Sequence, residues 1–189
     1  MAKPHLSITA NVKTTHVMEG LKPKGISIFN ATLFGIMRAA NSIPEFKTRI
    51  RGDDVIEHDV LNASVTVPIE GERFAFCEID YSPDWETFDA NCEQAIARAK
   101  NQNQLVENIE IGNDRWIFTS CLPWINFSAL QNPLTGPDDC VPRIVWGKIS
   151  QNSDGSWSMP VAVEVHHALV DGIHLAKFFN QLEETLASL

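Results

Sequence analysis

A nine-residue alternation near the C-terminus constrains this chain most. Trp157, Met159, Val161, Val163 and Val165 are apolar at every second position, and only an extended strand gathers such residues on one face. The strand runs straight into His166-His167-Ala168-Leu169-Val170-Asp171-Gly172. A helical pattern follows from Ile173 to Leu186, with Leu175, Phe178, Phe179, Leu182 and Leu186 on its inner face. A chain that passes from a half-apolar strand through a tight turn into an amphipathic helix buries a sheet face against a helix.

The same rules organise the rest. Leu6–Val12 alternates and predicts a strand. Ile28–Ala40 reads as a helix with Ser27 as its N-cap, ended by Ser42-Ile43-Pro44. Arg51-Gly52-Asp53-Asp54 predicts a hairpin turn between Arg49-Ile50 and Val55-Ile56. Ala63–Val67 and Arg73–Glu78 predict strands, with Pro68 and Gly71 between them. In Asp84–Lys100, Phe88, Cys92, Ala95, Ile96 and Ala99 share one helical face. Trp116–Ser120 and Ile144–Ile149 read as strands, Gln131–Cys140 as a loop, and Asn152-Ser153-Asp154-Gly155 as a hairpin turn. The expected architecture is a single α+β domain over 1–189, a mixed sheet covered by helices on one face. At about 150 residues per domain, 189 residues suit one unit.

Fifteen Lys and Arg stand against 24 Asp and Glu, a formal charge of −9. That balance argues against a broad nucleic-acid face, which needs clustered cations. No run of 18 apolar residues predicts a membrane span, and Met1–His5 lacks a signal-peptide core. Cys77, Cys92, Cys121 and Cys140 form no C-x-x-C pair and no Cys/His cluster of zinc spacing. Free thiols in a cytoplasmic protein, with no metal, are the expectation.

Chemistry concentrates at the end of the last strand. By parity, His167 follows the apolar odd row and is expected to point inward, while Ser158, Glu164 and His166 point away. A desolvated histidine held in one tautomer suits a general base. Adjacent histidines on a strand face opposite ways, so His166 and His167 do not share a metal ion. Alone, His167 reads as a core histidine and Asp171-Gly172 as an ordinary turn.

The composite His166-His167-x-x-x-Asp171-Gly172 resembles the signature of CoA-dependent acyltransferases. Thr119-Ser120-Cys121-Leu122-Pro123-Trp124-Ile125-Asn126-Phe127 narrows this, because it resembles the Ser-x-x-Pro-Trp-x-x-Phe segment of chloramphenicol acetyltransferases. Leu6–Val12, Tyr81-Ser82, Pro142–Lys148 and Ile173–Phe179 resemble that family in collinear order.

The resemblance implies a two-layer chloramphenicol-acetyltransferase-like sandwich and an enzyme that moves an acetyl group from acetyl-CoA, a co-substrate, to a hydroxyl of chloramphenicol. His167 would be the general base and Ser120 the oxyanion donor. Asp171 would be a structural partner of an arginine. Trp124 would line the pantetheine channel, Lys148 would lie near the cofactor, and Phe74 would wall the acceptor pocket. Plain readings stand beside these: a strand hydroxyl for Ser120, core packing for Trp124, a solvated lysine for Lys148. Family members are homotrimers with the site between subunits. They carry an upstream segment supplying that arginine and a tyrosine. This chain starts almost at its first strand, so both are expected to be missing, with Arg49, Arg51 or Arg143 as candidate substitutes. Val145 stands where the family has a threonine. The alternatives are another small hydroxylated acceptor, or a trimeric CoA-binding homologue without turnover.

Overall fold

A computed structural model describes residues 3–71, 73–101 and 114–189. Strand β1 spans His5–Lys13, and helix α1 spans Ile28–Asn41. A short helix α2 (Pro44–Lys47) leads into the hairpin β2 (Thr48–Arg51) and β3 (Asp54–Glu57). Then come β4 (Asn62–Ile69), β5 (Arg73–Ile79), α3 (Trp85–Lys100), β6 (Trp116–Leu122), β7 (Arg143–Gly147), β8 (Ser150–Gln151), β9 (Trp157–His166) and α4 (Gly172–Ser188).

The helices start where the sequence signals them. Ser27 Oγ accepts the Asn30 N–H at 3.2 Å, and Asp84 Oδ1 accepts the Thr87 N–H at 2.9 Å. Several boundaries shift by a residue or two from expectation, β6 for instance running on to Leu122, and two of the shifts have a clear cause. β4 runs through Pro68, because β6 pairs it only as far as Val65 and beyond that β5 is its sole neighbour. β7 stops at Gly147, because the Lys148 N–H turns to the Ile125 carbonyl at 2.8 Å instead of the ladder.

The main sheet runs β1-β9-β7-β6-β4-β5, with β8 on β9. It is mixed: β6 is parallel to β4 and β7, and the other pairs are antiparallel. On one face, Met159, Val161, Val163, Val165, Ile144, Trp146, Ile117, Val65 and Ile79 form the core with α1, α3 and α4. Phe46 of α2 stacks on Phe178 of α4, centroids 5.2 Å apart. Burying such a ring stabilises by roughly 1.5–3 kcal/mol.

Among the described residues, no helix packs on the opposite face. The β6–β7 connection, residues 123–142, crosses it over β1, β9 and β7. Ser7 Oγ donates to the Leu130 carbonyl at 3.1 Å, and Asn132 donates its backbone N–H and side-chain amide to Glu164 at 2.7 and 3.1 Å. This crossing buries Glu164 and His166. Parity assigned both to solvent, but β9 is central in the sheet and covered on both faces. The crossing does not reach over β6, β4 and β5, where Ser120, Phe76 and Phe74 lie on that face.

At Gly147 the crossing and the sheet approach closely. A Cβ there would sit 2.6 Å from the Ile125 carbonyl oxygen and 2.7 Å from Pro160 Cγ. Gly147→Ala is expected to cost about 1–3 kcal/mol, a fall of roughly 2–12 °C in Tm for a domain of this size. A thermal melt checks it, and an unchanged Tm would show that the crossing gives way freely.

Candidate active site

His167 sits one residue beyond β9, in a turn rather than in the sheet. The Leu169 and Val170 N–H groups both return to the His166 carbonyl at 3.0 Å, and the His167 N–H donates to the Pro4 carbonyl at 2.8 Å. The inward orientation expected from parity is therefore corrected. The strand ends at His166, so the alternation ends with it, and His167 is exposed while His166 is buried.

Each histidine is held in one tautomer by its partners. His167 Nδ1 lies 3.3 Å from the Val170 carbonyl oxygen. A carbonyl only accepts, so the contact places a proton on Nδ1 and makes Nε2 the nitrogen that can accept in the neutral ring. His166 has the other tautomer: Nδ1 accepts the Ala168 N–H at 3.3 Å, and Nε2 donates to the Pro137 carbonyl at 3.1 Å. A hollow of about 480 Å³ opens here, lined by Pro4, Ile50, Pro137, Asp138, His166 and His167.

Two anchors shape this hollow. Arg49 is fully buried and donates to four backbone carbonyls, those of Phe46, Thr48, Asp114 and Trp116, at 2.8–3.0 Å. Burial lowers its pKa to about 10, so it stays charged at neutral pH, and it ties the Ile50 hairpin to the start of β6. On the other side, Asp139 takes two bonds from Arg143, at 2.6 and 3.0 Å, and two from Thr135. Its backbone carbonyl receives His5 Nε2 at 2.6 Å. Burial pushes the Asp139 carboxyl up, but Arg143 and Thr135 outweigh it and bring the pKa down from 3.8 to about 2. A lowered carboxyl pKa stabilises the fold fully above the ordinary value, and that stabilisation is lost as pH falls from about 4 through 2. Asp139→Asn is thus expected to lower Tm at pH 7 and to lose much of that difference at pH 3. An equal deficit at both pH values would show that the pair contributes nothing by charge.

Among the described residues, Asp171 meets no arginine. It is exposed and caps α4: its Oδ1 accepts the Gly172 N–H at 2.6 Å. Arg49 and Arg143 are engaged as described, and Arg51 forks onto Asp114 at 2.6 and 3.1 Å. Sequence reasoning passed over the partner that does hold the turn, His174, whose Nδ1 accepts the Asp171 N–H at 3.0 Å. Its place three residues after the N-cap was a legible signal.

The other candidate residues gather at the far end of the sheet. Ser120 pairs with Val145, and Val145 with Ala162. His167 lies five residues beyond Ala162, the last of them past the end of β9. At about 3.3 Å per residue and two strand spacings sideways, Ser120 and His167 are roughly 20 Å apart. Ser120 is half-buried. Trp124 follows in an exposed turn, 76% accessible. It adjoins exposed Lys148 through the Ile125–Lys148 backbone bond. Phe74 is 48% exposed on edge strand β5 and packs edge-to-face on Phe76. Phe76 lies in the Ser120 row, and strand alternation from Phe74 could have found it. Within one chain, then, His167 and Asp171 belong to one turn and Trp124 and Lys148 lie on adjoining backbone, while His167 stands apart from Ser120 and Phe74.

All four cysteines are free, and burial raises the thiols of Cys77 and Cys121 to about 11. Among the described residues, no cluster of His, Cys, Asp or Glu is placed to hold a metal ion, and no helix is long and apolar enough to cross a membrane.

A solved chloramphenicol acetyltransferase superposes with a TM-score of 0.91 at 29% identity, covering 98% of this chain and 89% of the other. The fold is that of an acyltransferase. The sequence profile described as chloramphenicol acetyltransferase matches residues 1–183, and the chain belongs to that family. Among curated relatives, chloramphenicol acetyltransferase 2 of Escherichia coli is 30% identical over 94% of this chain and 83% of its own length. Chloramphenicol acetyltransferase 3 of Escherichia coli is 29% identical over 94% and 84%.

Proposed function

We propose that the protein transfers the acetyl group of acetyl-CoA to a hydroxyl of chloramphenicol, with His167 as general base. The observation that carries this is the Val170 carbonyl 3.3 Å from His167 Nδ1, a contact that favours the proton on Nδ1 and leaves Nε2 as the accepting nitrogen. In the proposed step Nε2 takes the hydroxyl proton while the acceptor oxygen bonds to the thioester carbonyl carbon. The carbonyl pair moves onto oxygen, and the Ser120 hydroxyl donates to that oxyanion. Collapse breaks the C–S bond, and the imidazolium returns its proton to the departing CoA sulfur.

Because Ser120 and Phe74 lie far from His167 along the same sheet, the site is assembled between copies. One subunit supplies His167, and its neighbour supplies Ser120 and the Phe74 wall. A homotrimer, the arrangement usual in the family, satisfies this by repeating one head-to-tail contact three times. Exposed Trp124, Ile125 and Phe74 at that end of the sheet support burial in such an assembly. Trp124 and Lys148 are proposed to flank the acetyl-CoA arm. The enzyme works in the cytoplasm, where acetyl-CoA is supplied, and needs no metal or prosthetic group. Asp171 acts as the helix cap that ends the histidine turn.

A CoA-release assay with acetyl-CoA and chloramphenicol tests the proposal. Turnover on chloramphenicol is expected. Turnover only on other hydroxylated acceptors would move the assignment of the acceptor, and CoA binding with no turnover on any acceptor would overturn the enzymatic reading.

A further inference from the structure

We infer that Glu45 and His174 are positioning residues for the catalytic histidine, acting through a single peptide group. This rests on the reading of His167 as the base. The Val170 carbonyl that accepts His167 Nδ1–H and the Asp171 N–H that His174 Nδ1 accepts belong to the same peptide unit. A peptide is rigid and planar, so holding its N–H fixes where its C=O points. His174 grips one side of this plate, and His167 hangs from the other.

Glu45 decides whether His174 can do so. Nδ1 accepts only if the ring proton is on Nε2, and Nε2 lies 3.3 Å from Glu45 Oε1. The carboxylate favours that tautomer by accepting from it, as outer hydrogen bonds set the tautomer of working histidines. Glu45 is itself held in place. Its neighbour Phe46 is fully buried and stacked on Phe178, one turn along α4 from His174. The order of transmission is Glu45 carboxylate, His174 ring, peptide 170–171, His167 ring. Hydrogen bonds in such a chain polarise one another in the same direction.

The residue usual at the His174 position of a capping box is Glu or Gln, whose oxygen accepts the N-cap N–H with no tautomer to choose. That supplies the test. In the full chain, His174→Ala and Glu45→Ala are expected to lower kcat about 10- to 100-fold, the scale of a small misplacement of a reacting group, with KM for both substrates nearly unchanged. His174→Gln is expected to restore most of the loss. Glu45→Ala, harmful beside His174, is expected to be silent in the His174→Gln background, a coupling a double-mutant cycle reads directly. Leu186→Ala, at the other end of α4, controls for loosening the helix: Tm should fall and kcat should not. If His174→Ala fails to fold, the Glu45→Ala pair in the two backgrounds still decides. Unchanged kcat in both alanine variants, no rescue by glutamine, or equal Glu45→Ala losses in both backgrounds would overturn the inference. His167→Ala, assayed beside them, separates the two levels: turnover surviving that change overturns the base assignment itself.

Discussion

Replacing His167 with alanine is expected to cut kcat for CoA release about 10²–10⁴-fold, the range attributed to a positioned general base, without lowering thermal stability. The two halves of this result come from different facts. The ring is exposed and meets the fold through one 3.3 Å bond to the Val170 carbonyl, so little packing is lost with it. The chemistry, by contrast, has no other base in the turn. His166 commits both nitrogens, to Ala168 and Pro137, and is buried. His166→Ala is the informative neighbour, because it removes a buried ring that bolts the turn to the crossing segment and is expected to lower Tm. Parallel CoA-release and melting measurements read both. If His167→Ala turned over like the parent enzyme, the mechanism would fail at its first step.

Ser120→Ala is expected to lower kcat about 10²–10³-fold, as does losing one oxyanion donor elsewhere. Its sharper use is in combination. The sheet register separates Ser120 from His167 by roughly 20 Å, so neither single variant can complete a site from its own chain. Co-refolding His167→Ala with Ser120→Ala is expected to recover activity. In a mixed ring some interfaces pair an intact Ser120 on one subunit with an intact His167 on the next, about one quarter of the sites for a random equal mixture. Activity no greater than the sum of the two parent variants would show that the site lies within one chain, or that the subunits do not share it. Size-exclusion of the same mixture tells these apart.

Much of the fold was legible because it depends on short-range periodicity. The nine-residue alternation of Trp157–Val165 became β9, and the caps Ser27 and Asp84 start their helices. Arg51-Gly52-Asp53-Asp54 turned the hairpin. The errors also share a cause. Period-two reading assumes one wet face, and it sent Glu164 and His166 to solvent. A crossing segment some thirty residues earlier in the chain covers them. It carried the odd row past Val165 to His167, although the chain had already turned.

The sequence by itself determined most of the elements, the mixed α+β class and the two motifs proposed to carry the chemistry. These follow from side-chain period, caps and residue type, all readable within a few positions. Tertiary structure alone decided how the site is arranged. Strand order placed Ser120 and His167 at opposite ends of one sheet. The crossing segment exchanged the expected environments of His166 and His167. Asp171 became a helix cap rather than an arginine's partner, and Glu45, more than 120 residues before Asp171, was brought to the ring that holds its peptide. Hydrogen bonds and burial depend on which segments meet in space, and local pattern carries no record of that.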